Sequence, residues 1–68
     1  MSELKKIREQ KNLTQEELAQ KTGLSVRTIQ RVESGMRPKG YTLKTLAKNL
    51  DVAEKDLWIP EIVAEPEI

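Results

Sequence analysis

Two arginines in the stretch SVRTIQRVESG are spaced so that they can act on one ligand together. If the stretch is helical, Arg27 and Arg31 lie four residues apart on its outward face, where like charges repel by roughly 0.2–0.5 kcal/mol. The nearby acid Glu33 falls toward the apolar side of the same helix and does not relieve this repulsion. A guanidinium group donates two parallel hydrogen bonds to a phosphate or to a guanine edge. The pair therefore predicts a face that binds such a partner, and a merely solvated basic face is the alternative.

Charge is distributed unevenly along the chain of 68 residues. Residues 1–50 contain eleven Lys and Arg against five Glu, a net charge of +6. Residues 51–68 contain one Lys against six acids, a net charge of −5. The basic first part favours a polyanionic partner, and the acidic second part does not.

The composition argues against catalysis and against a bound metal or cofactor. The sequence contains no cysteine and no histidine, and a glycine-rich phosphate loop is missing. Glu16 and Glu17 are adjacent, so their side chains diverge around a helix instead of converging on a substrate. We therefore expect no enzyme and no cofactor.

The sequence also predicts no contact with a membrane. No segment approaches the ~20 apolar residues of a membrane span. The first residues, MSELKK, lack the apolar stretch of a signal peptide. We expect a cytoplasmic, nucleoid-associated protein.

Local signals predict that the two arginines lie in the second half of a helix-turn-helix. Thr14 followed by Glu17 has the spacing of a capping box, which begins a second helix over about residues 15–21. Gly23 suits a left-handed helix end. Ser25 is a good N-cap for a third helix, and only about three residues separate the two.

The third helix is predicted to continue to Ser34 before Gly35 ends it, and amphipathic patterns predict three further helices. The first covers residues 2–11. The fourth begins at Thr42 as its N-cap, after a loop over MRPKGY, and the fifth lies in DVAEKDLW behind a weak cap at Ala53. The expected fold is an all-α, compact five-helix bundle with an aliphatic core. We expect residues 1–58 to form this domain and residues 59–68 to form an acidic, proline-containing tail.

The stretch LTQEELAQKTGLSVRTIQRVESG resembles the helix-turn-helix of the phage-repressor and Cro type, also called the Xre family. The match includes the Thr-Gln-x-x-Leu-Ala opening, the turn glycine Gly23, the Ser-x-x-Thr-Ile of the third helix and the closing Glu-Ser-Gly. It extends from about Leu4 to Leu57. The resemblance implies a lambda-repressor-like domain that binds double-stranded DNA as a transcriptional regulator, with repression as the expected role.

The resemblance also implies roles for individual residues. Positions that face base edges in the major groove, or lie close to the DNA, are matched by Ser25, Val26, Arg27, Thr28 and Arg31. Positions that contact the DNA backbone are matched by Gln15, Ser34, Arg37, Lys39 and Tyr41. The position of Gln15 also braces the recognition helix. Arg8 and Glu33 match an ion pair that joins the first helix to the third, although Arg8 could instead be a plain surface charge.

The sequence allows more than one assignment of the bases that the third helix recognises. Some relatives read DNA through glutamines on the third helix, where this chain has Val26, Arg27 and Arg31, so their operators do not transfer. Either arginine could read a guanine, and Val26 could touch a thymine methyl group. Either arginine could instead bind a phosphate.

Partners other than DNA are also implied. A lone domain offers few base contacts, so we expect a homodimer on a pseudo-palindromic site with half-sites about 34 Å apart. Similar domains also act as antitoxins, or as the N-terminal DNA-binding part of a longer regulator. The tail over 59–68 could bind a protein partner, add an edge strand across a dimer, or be a linker or a disordered segment.

Overall fold

The computed structural model describes residues 2–59 and contains five helices in that range. They are α1 (Leu4–Gln10), α2 (Gln15–Thr22), α3 (Val26–Glu33), α4 (Gly40–Leu50) and α5 (Glu54–Leu57). No strand occurs in the described part of the chain, and the only β-type contact there is a single antiparallel bridge between Ser2 and Trp58. The predicted all-α bundle with a helix-turn-helix is confirmed.

The start of α2 has the capping box that the sequence predicts. The Thr14 hydroxyl accepts a hydrogen bond from the Glu17 amide at 3.0 Å, and the Glu17 carboxylate accepts one from the Thr14 amide at 2.8 Å. Gly23 ends the helix with φ +79°, in the left-handed region. Only residues 23–25 connect α2 to α3, so the two helices form a tight turn.

The ends of α3 are also set by local chemistry. Ser25 caps the helix by accepting a hydrogen bond from the Thr28 amide at 3.1 Å. The helix ends at Glu33, one residue before the predicted end, and Ser34 is its C-cap. Gly35 follows with φ +107°, and no atom would lie within 4 Å of a Cβ placed there. Backbone conformation, not lack of space, is therefore the reason for glycine at this position.

The prediction that Thr42 is the N-cap of the fourth helix is wrong. The helix begins at Gly40, the N-cap is Lys39, and the Lys39 side chain makes no capping hydrogen bond. Thr42 is only 6% exposed, and Leu46, four residues later, is fully buried. Because residues four apart share a helix face, burying both side chains requires helical backbone through Thr42.

The core is aliphatic, as the absence of phenylalanine requires. α2 packs against both α3 and α4, while α1 packs against α3 and α5 packs against α4. The buried apolar residues are Leu4, Ile7, Leu18, Ala19, Ile29, Val32, Leu46, Ala47, Leu50 and Leu57. This shared core holds α3 with one face inward and the other exposed.

The two ends of the described chain meet. The Glu3 amide donates a hydrogen bond to the Leu57 carbonyl at 2.9 Å, next to the bridge between Ser2 and Trp58. α5 itself has no side-chain cap at Ala53. Of the predicted tail, only Ile59 is described, so the tail's proposed roles in dimers or partner binding lie outside the described residues.

Candidate nucleic-acid interface

A buried ion pair fixes the inner edge of α3 to α1. Arg8 is 8% exposed, and its Nε donates to Glu33 Oε2 at 2.6 Å while its Nη2 donates to Oε1 at 3.3 Å. Its Nη1 donates to the Leu13 carbonyl at 2.7 Å, across the turn between α1 and α2. The hydrogen bonds with Glu33, helped by the charge of that carboxylate, raise the pKa of Arg8 above its ordinary value, although burial opposes them. Arg8 therefore contacts Glu33 and the backbone, not solvent.

Gln15 extends this contact to α2. Its Nε2 donates to Glu33 Oε1 at 3.0 Å, and its Oε1 accepts a hydrogen bond from Gln30 Nε2 at 3.2 Å. The first residue of α2 thus holds two residues of α3. The helical period puts Gln30 at the margin of the outward face of α3. Its contact with Gln15 depends on how α2 crosses α3, which the sequence does not reveal.

The outward face of α3 is basic. Arg27 and Arg31 are exposed and form no hydrogen bond or ion pair through their guanidinium groups with residues 2–59. Val26 is half-buried beside them, and Ile29 and Val32 on the opposite face are buried. Two guanidinium groups are therefore available to a ligand.

The predicted contact residues Ser25 and Thr28 form a hydroxyl pair at the start of α3. Their oxygens lie 2.9 Å apart, and Ser25 also caps the Thr28 amide. The pair has two hydroxyl hydrogens, and one is used between the two oxygens. One donor remains for a ligand, and it can sit on either residue.

Ser34, a predicted backbone contact, is exposed but already uses its donor. Its Oγ donates to the Arg31 carbonyl at 2.8 Å. A hydroxyl has a single hydrogen, so Ser34 has to leave this carbonyl before it can donate to a phosphate. A hydrogen bond from Ser34 to a phosphate would therefore cost the bond to the Arg31 carbonyl.

A groove of about 340 Å³ lies between the end of α3 and the start of α4. Its lining residues are Thr28, Arg31, Val32, Met36, Arg37, Pro38, Lys39 and Thr42. The predicted phosphate contacts Arg37 and Lys39 are exposed on the loop. Tyr41, predicted in the same loop, is instead the second residue of α4 and is 67% exposed.

The start of α4 differs from the starts of α2 and α3. No side chain caps it, so the amides of its first turn are available to an anion. Thr42 is buried, lines the groove and makes no side-chain hydrogen bond with residues 2–59. The sequence alone predicts Thr42 as a helix cap and gives no sign of its place in this groove.

The charge of this region is almost entirely positive. Residues 24–50 contain six Lys and Arg and one acid, Glu33. The Glu33 side chain is 7% exposed and bonded to Arg8, so it presents little negative charge at the surface. The loop and both adjoining helices therefore attract polyanions.

Neither a metal site nor a membrane-spanning helix is present in the described part of the chain. No group of three or more His, Cys, Asp or Glu there could hold a metal ion. Each helix within residues 2–59 is too short or too polar to traverse a lipid bilayer.

Comparison with known proteins agrees with this geometry. None of the curated proteins matches the chain significantly. A family model described as "Helix-turn-helix" matches residues 4–57, which include all five helices. The matched segment contains the capped turn, the basic face of α3 and the groove beside it. The chain therefore belongs to the Xre, Cro and CI-type helix-turn-helix family of DNA-binding domains.

Proposed function

We propose that the protein is a transcriptional repressor that binds specific sequences of double-stranded DNA. The observation that carries the proposal is the outward face of α3 in a domain of a DNA-binding family. On that face Arg27 and Arg31 are exposed and have no ion-pair partner among residues 2–59. In the proposed complex α3 enters the major groove and α2 crosses the DNA backbone.

The dimensions of α3 suit this role. A helix with its side chains is about 10–12 Å wide, and the major groove of B-DNA is about 12 Å wide. Arg27 and Arg31 would read guanine edges, Val26 would lie against a thymine methyl group, and the remaining hydroxyl donor of Ser25 and Thr28 would meet a base acceptor. Each good base contact is worth about 1–3 kcal/mol of discrimination.

Phosphate binding is assigned to the elements that flank α3. Arg37 and Lys39 would neutralise phosphates along the loop, and Tyr41 would lie beside them. The uncapped start of α4 supports this assignment, because free amides and the helix dipole both favour an anion there. Gln15 would donate its second amide hydrogen to a phosphate on the other side of α3.

A single copy reads few bases, so the proposed complex contains two copies on a pseudo-palindromic site with half-sites about 34 Å apart. We propose residues 1–58 as the DNA-binding domain of each copy. The bridge between Ser2 and Trp58 supports that boundary, because it closes the described fold at both ends. Residues 59–68 are proposed as an acidic, proline-containing tail outside this domain.

The test is selection of bound sequences from randomised duplexes, followed by sequencing. We expect one enriched motif with two symmetric half-sites at this spacing. An unenriched pool, or a motif that consists of one half-site at every protein concentration, contradicts the proposal.

Variants then connect the motif to α3. Arg27→Ala and Arg31→Ala should each lower discrimination between the selected duplex and a scrambled one by about 1–3 kcal/mol, while the circular-dichroism spectrum stays the same. Lys55→Ala is the matched control, because it also removes one exposed cation but lies on α5. Equal losses in all three variants would indicate general charge attraction and no base reading by α3.

A further inference from the structure

Gln30 is an exposed residue of α3 whose side chain is bonded to the first residue of α2. Its Nε2 lies 3.2 Å from Oε1 of Gln15, and Nε2 of Gln15 lies 3.0 Å from Oε1 of Glu33. Gln30 and Glu33 are three residues apart and so lie along one edge of α3. Together they hold both ends of the Gln15 amide.

The side-chain amides of Gln15 and Gln30 belong to a series of hydrogen bonds that begins at Arg8 and Glu33. These two buried groups determine how both amides are oriented. Arg8 can only donate hydrogen bonds, and the ionised carboxylate of Glu33 can only accept them. The part of Gln15 that faces Glu33 is therefore its NH2 group, which leaves its carbonyl oxygen toward Gln30. Gln30 has to direct its own NH2 group at that oxygen. Arg8 thus determines the donor and the acceptor of each hydrogen bond from Glu33 through Gln15 to Gln30.

We infer that Gln30 is a positioning residue for DNA binding, which acts by orienting the amide of Gln15. The inference rests on the proposed function, in which Gln15 donates to a phosphate. The NH2 group of Gln15 has two hydrogens, and Glu33 takes one. With its oxygen bonded to Gln30, the amide has a second N–H that donates to no group within residues 2–59 and is available to the DNA.

One partner alone would hold this amide less firmly. The terminal torsion of a glutamine side chain is broad, so the group can swing about its bond with Glu33. A swing brings the Gln15 oxygen toward the place of the phosphate, where two acceptors repel. The bond from Gln30 opposes this motion, so Gln30 strengthens DNA binding without touching the DNA.

The test is a double-mutant cycle on the full chain, with affinity for the selected duplex measured by fluorescence anisotropy at fixed salt. We expect Gln30→Ala to weaken binding about ten-fold in the wild-type background and less than two-fold in a Gln15→Ala background. Gln20→Ala is the matched control, since Gln20 is an exposed glutamine of α2 that makes no side-chain hydrogen bond within residues 2–59.

Gln30→Glu makes the test sharper. Glutamate has nearly the size and helix propensity of glutamine, but its carboxylate cannot donate to the Gln15 oxygen. Both N–H groups of Gln15 would then be drawn to carboxylates. We expect a larger loss than in Gln30→Ala, and a loss that shrinks in the Gln15→Ala background to the part caused by added negative charge.

A direct role for Gln30 in reading a base gives a different result. Gln30→Ala would then weaken binding equally in both backgrounds and would change the preference at one base position. An equal loss in the two backgrounds overturns the inference, and so does a changed preference at one base position.

The contact can also be measured without DNA. In ¹H–¹⁵N spectra of the free protein, Gln30→Ala should shift the side-chain NH2 signals of Gln15 and leave those of Gln20 in place. Unchanged Gln15 signals overturn the inference about Gln30 and leave the proposed function intact. If the wild-type protein binds no duplex at all, the proposed function is wrong and the inference falls with it.

Discussion

Arginines on the inner and outer edges of α3 differ in burial and in ion pairing. On the inner edge, Arg8 from α1 is 8% exposed and bonded to the carboxylate of Glu33. On the outer face, Arg27 and Arg31 are exposed and have no acidic partner in the described part of the chain. Arginine is thus part of the packed fold on one edge, and is exposed without an ion-pair partner among residues 2–59 on the other. Four predictions break or sharpen this difference, in order of expected effect.

The largest effect is expected from Arg8→Ala, which should lower the free energy of unfolding by about 3 kcal/mol. The variant leaves the Glu33 carboxylate, 7% exposed, without its cation, and an uncompensated buried charge is costly. Chemical denaturation followed by circular dichroism measures the change.

The matched control replaces both members of the pair, as Arg8→Met with Glu33→Leu. Exchanging a buried ion pair for apolar side chains is often neutral or stabilising, so part of the lost stability should return. The recovery should be incomplete, because the double variant also removes the hydrogen bonds of Arg8 to the Leu13 carbonyl and of Gln15 to Glu33. If Arg8→Ala proved as stable as the wild type, the ion pair would contribute nothing to the stability of the fold, and the difference between the edges would disappear.

The second prediction concerns the outer face and keeps its charge. Arg27→Lys and Arg31→Lys preserve one positive charge each but remove the planar fork that grips a guanine. We expect discrimination between the selected and scrambled duplexes to fall by about 2 kcal/mol at an arginine that reads guanine. The dependence of affinity on salt should stay the same, because the number of cations is unchanged.

The same pair of measurements separates base reading from phosphate binding. An arginine that binds only a phosphate should tolerate lysine with little loss of discrimination, since lysine also binds phosphate. Arg31 lines the groove beside Arg37 and Lys39, whereas Arg27 lies outside it. Arg27→Lys is therefore the clearer test of guanine reading.

The third prediction compares two helix caps. Thr14→Ala and Ser25→Ala should each cost about 1 kcal/mol of stability, because each removes the acceptor for one amide of the first turn. Only Ser25→Ala should also reduce discrimination among duplexes, since Ser25 belongs to the proposed base-reading set as well. Thermal unfolding and fluorescence anisotropy on both variants measure the two effects. Equal DNA binding by both variants would restrict Ser25 to capping.

Features set by local sequence could be predicted well. The capping box of Thr14 and Glu17, the left-handed Gly23 and the Ser25 cap each depend on backbone within four residues. The helix-turn-helix and the free face of α3 followed from these signals together with the 3.6-residue period.

Features set by packing could not be predicted in the same way. Threonine is a common N-cap, so the local sequence predicts a helix start at Thr42. Thr42 and Leu46 are instead buried on one face of α4, and the helix begins at Gly40. The bond between Gln15 and Gln30 depends on the crossing of two helices, which no local pattern encodes. The uncapped start of α4 is also unpredictable from local sequence, because packing determines where α4 begins.

The smallest change in stability is expected from Arg27→Glu, and its sign tests the idea that the outer face gives up stability for binding. α3 has no acidic residue in its first turn, so a carboxylate at position 27 would interact favourably with the helix dipole. It would also precede Arg31 by four residues, the favourable order for an ion pair on a helix. We expect the free energy of unfolding to rise by about 0.5 kcal/mol while binding to the selected duplex is lost.

Arg27→Gln is the control for Arg27→Glu, because it removes the cation and the repulsion without supplying an anion. It should give a smaller gain in stability, and both variants can be compared by chemical denaturation under identical salt. High salt should reduce the difference between them, since the dipole and ion-pair effects are screened at an exposed site. A loss of stability in both variants would mean that Arg27 contributes to the fold itself. The absence of acids on this face would then need no ligand to explain it.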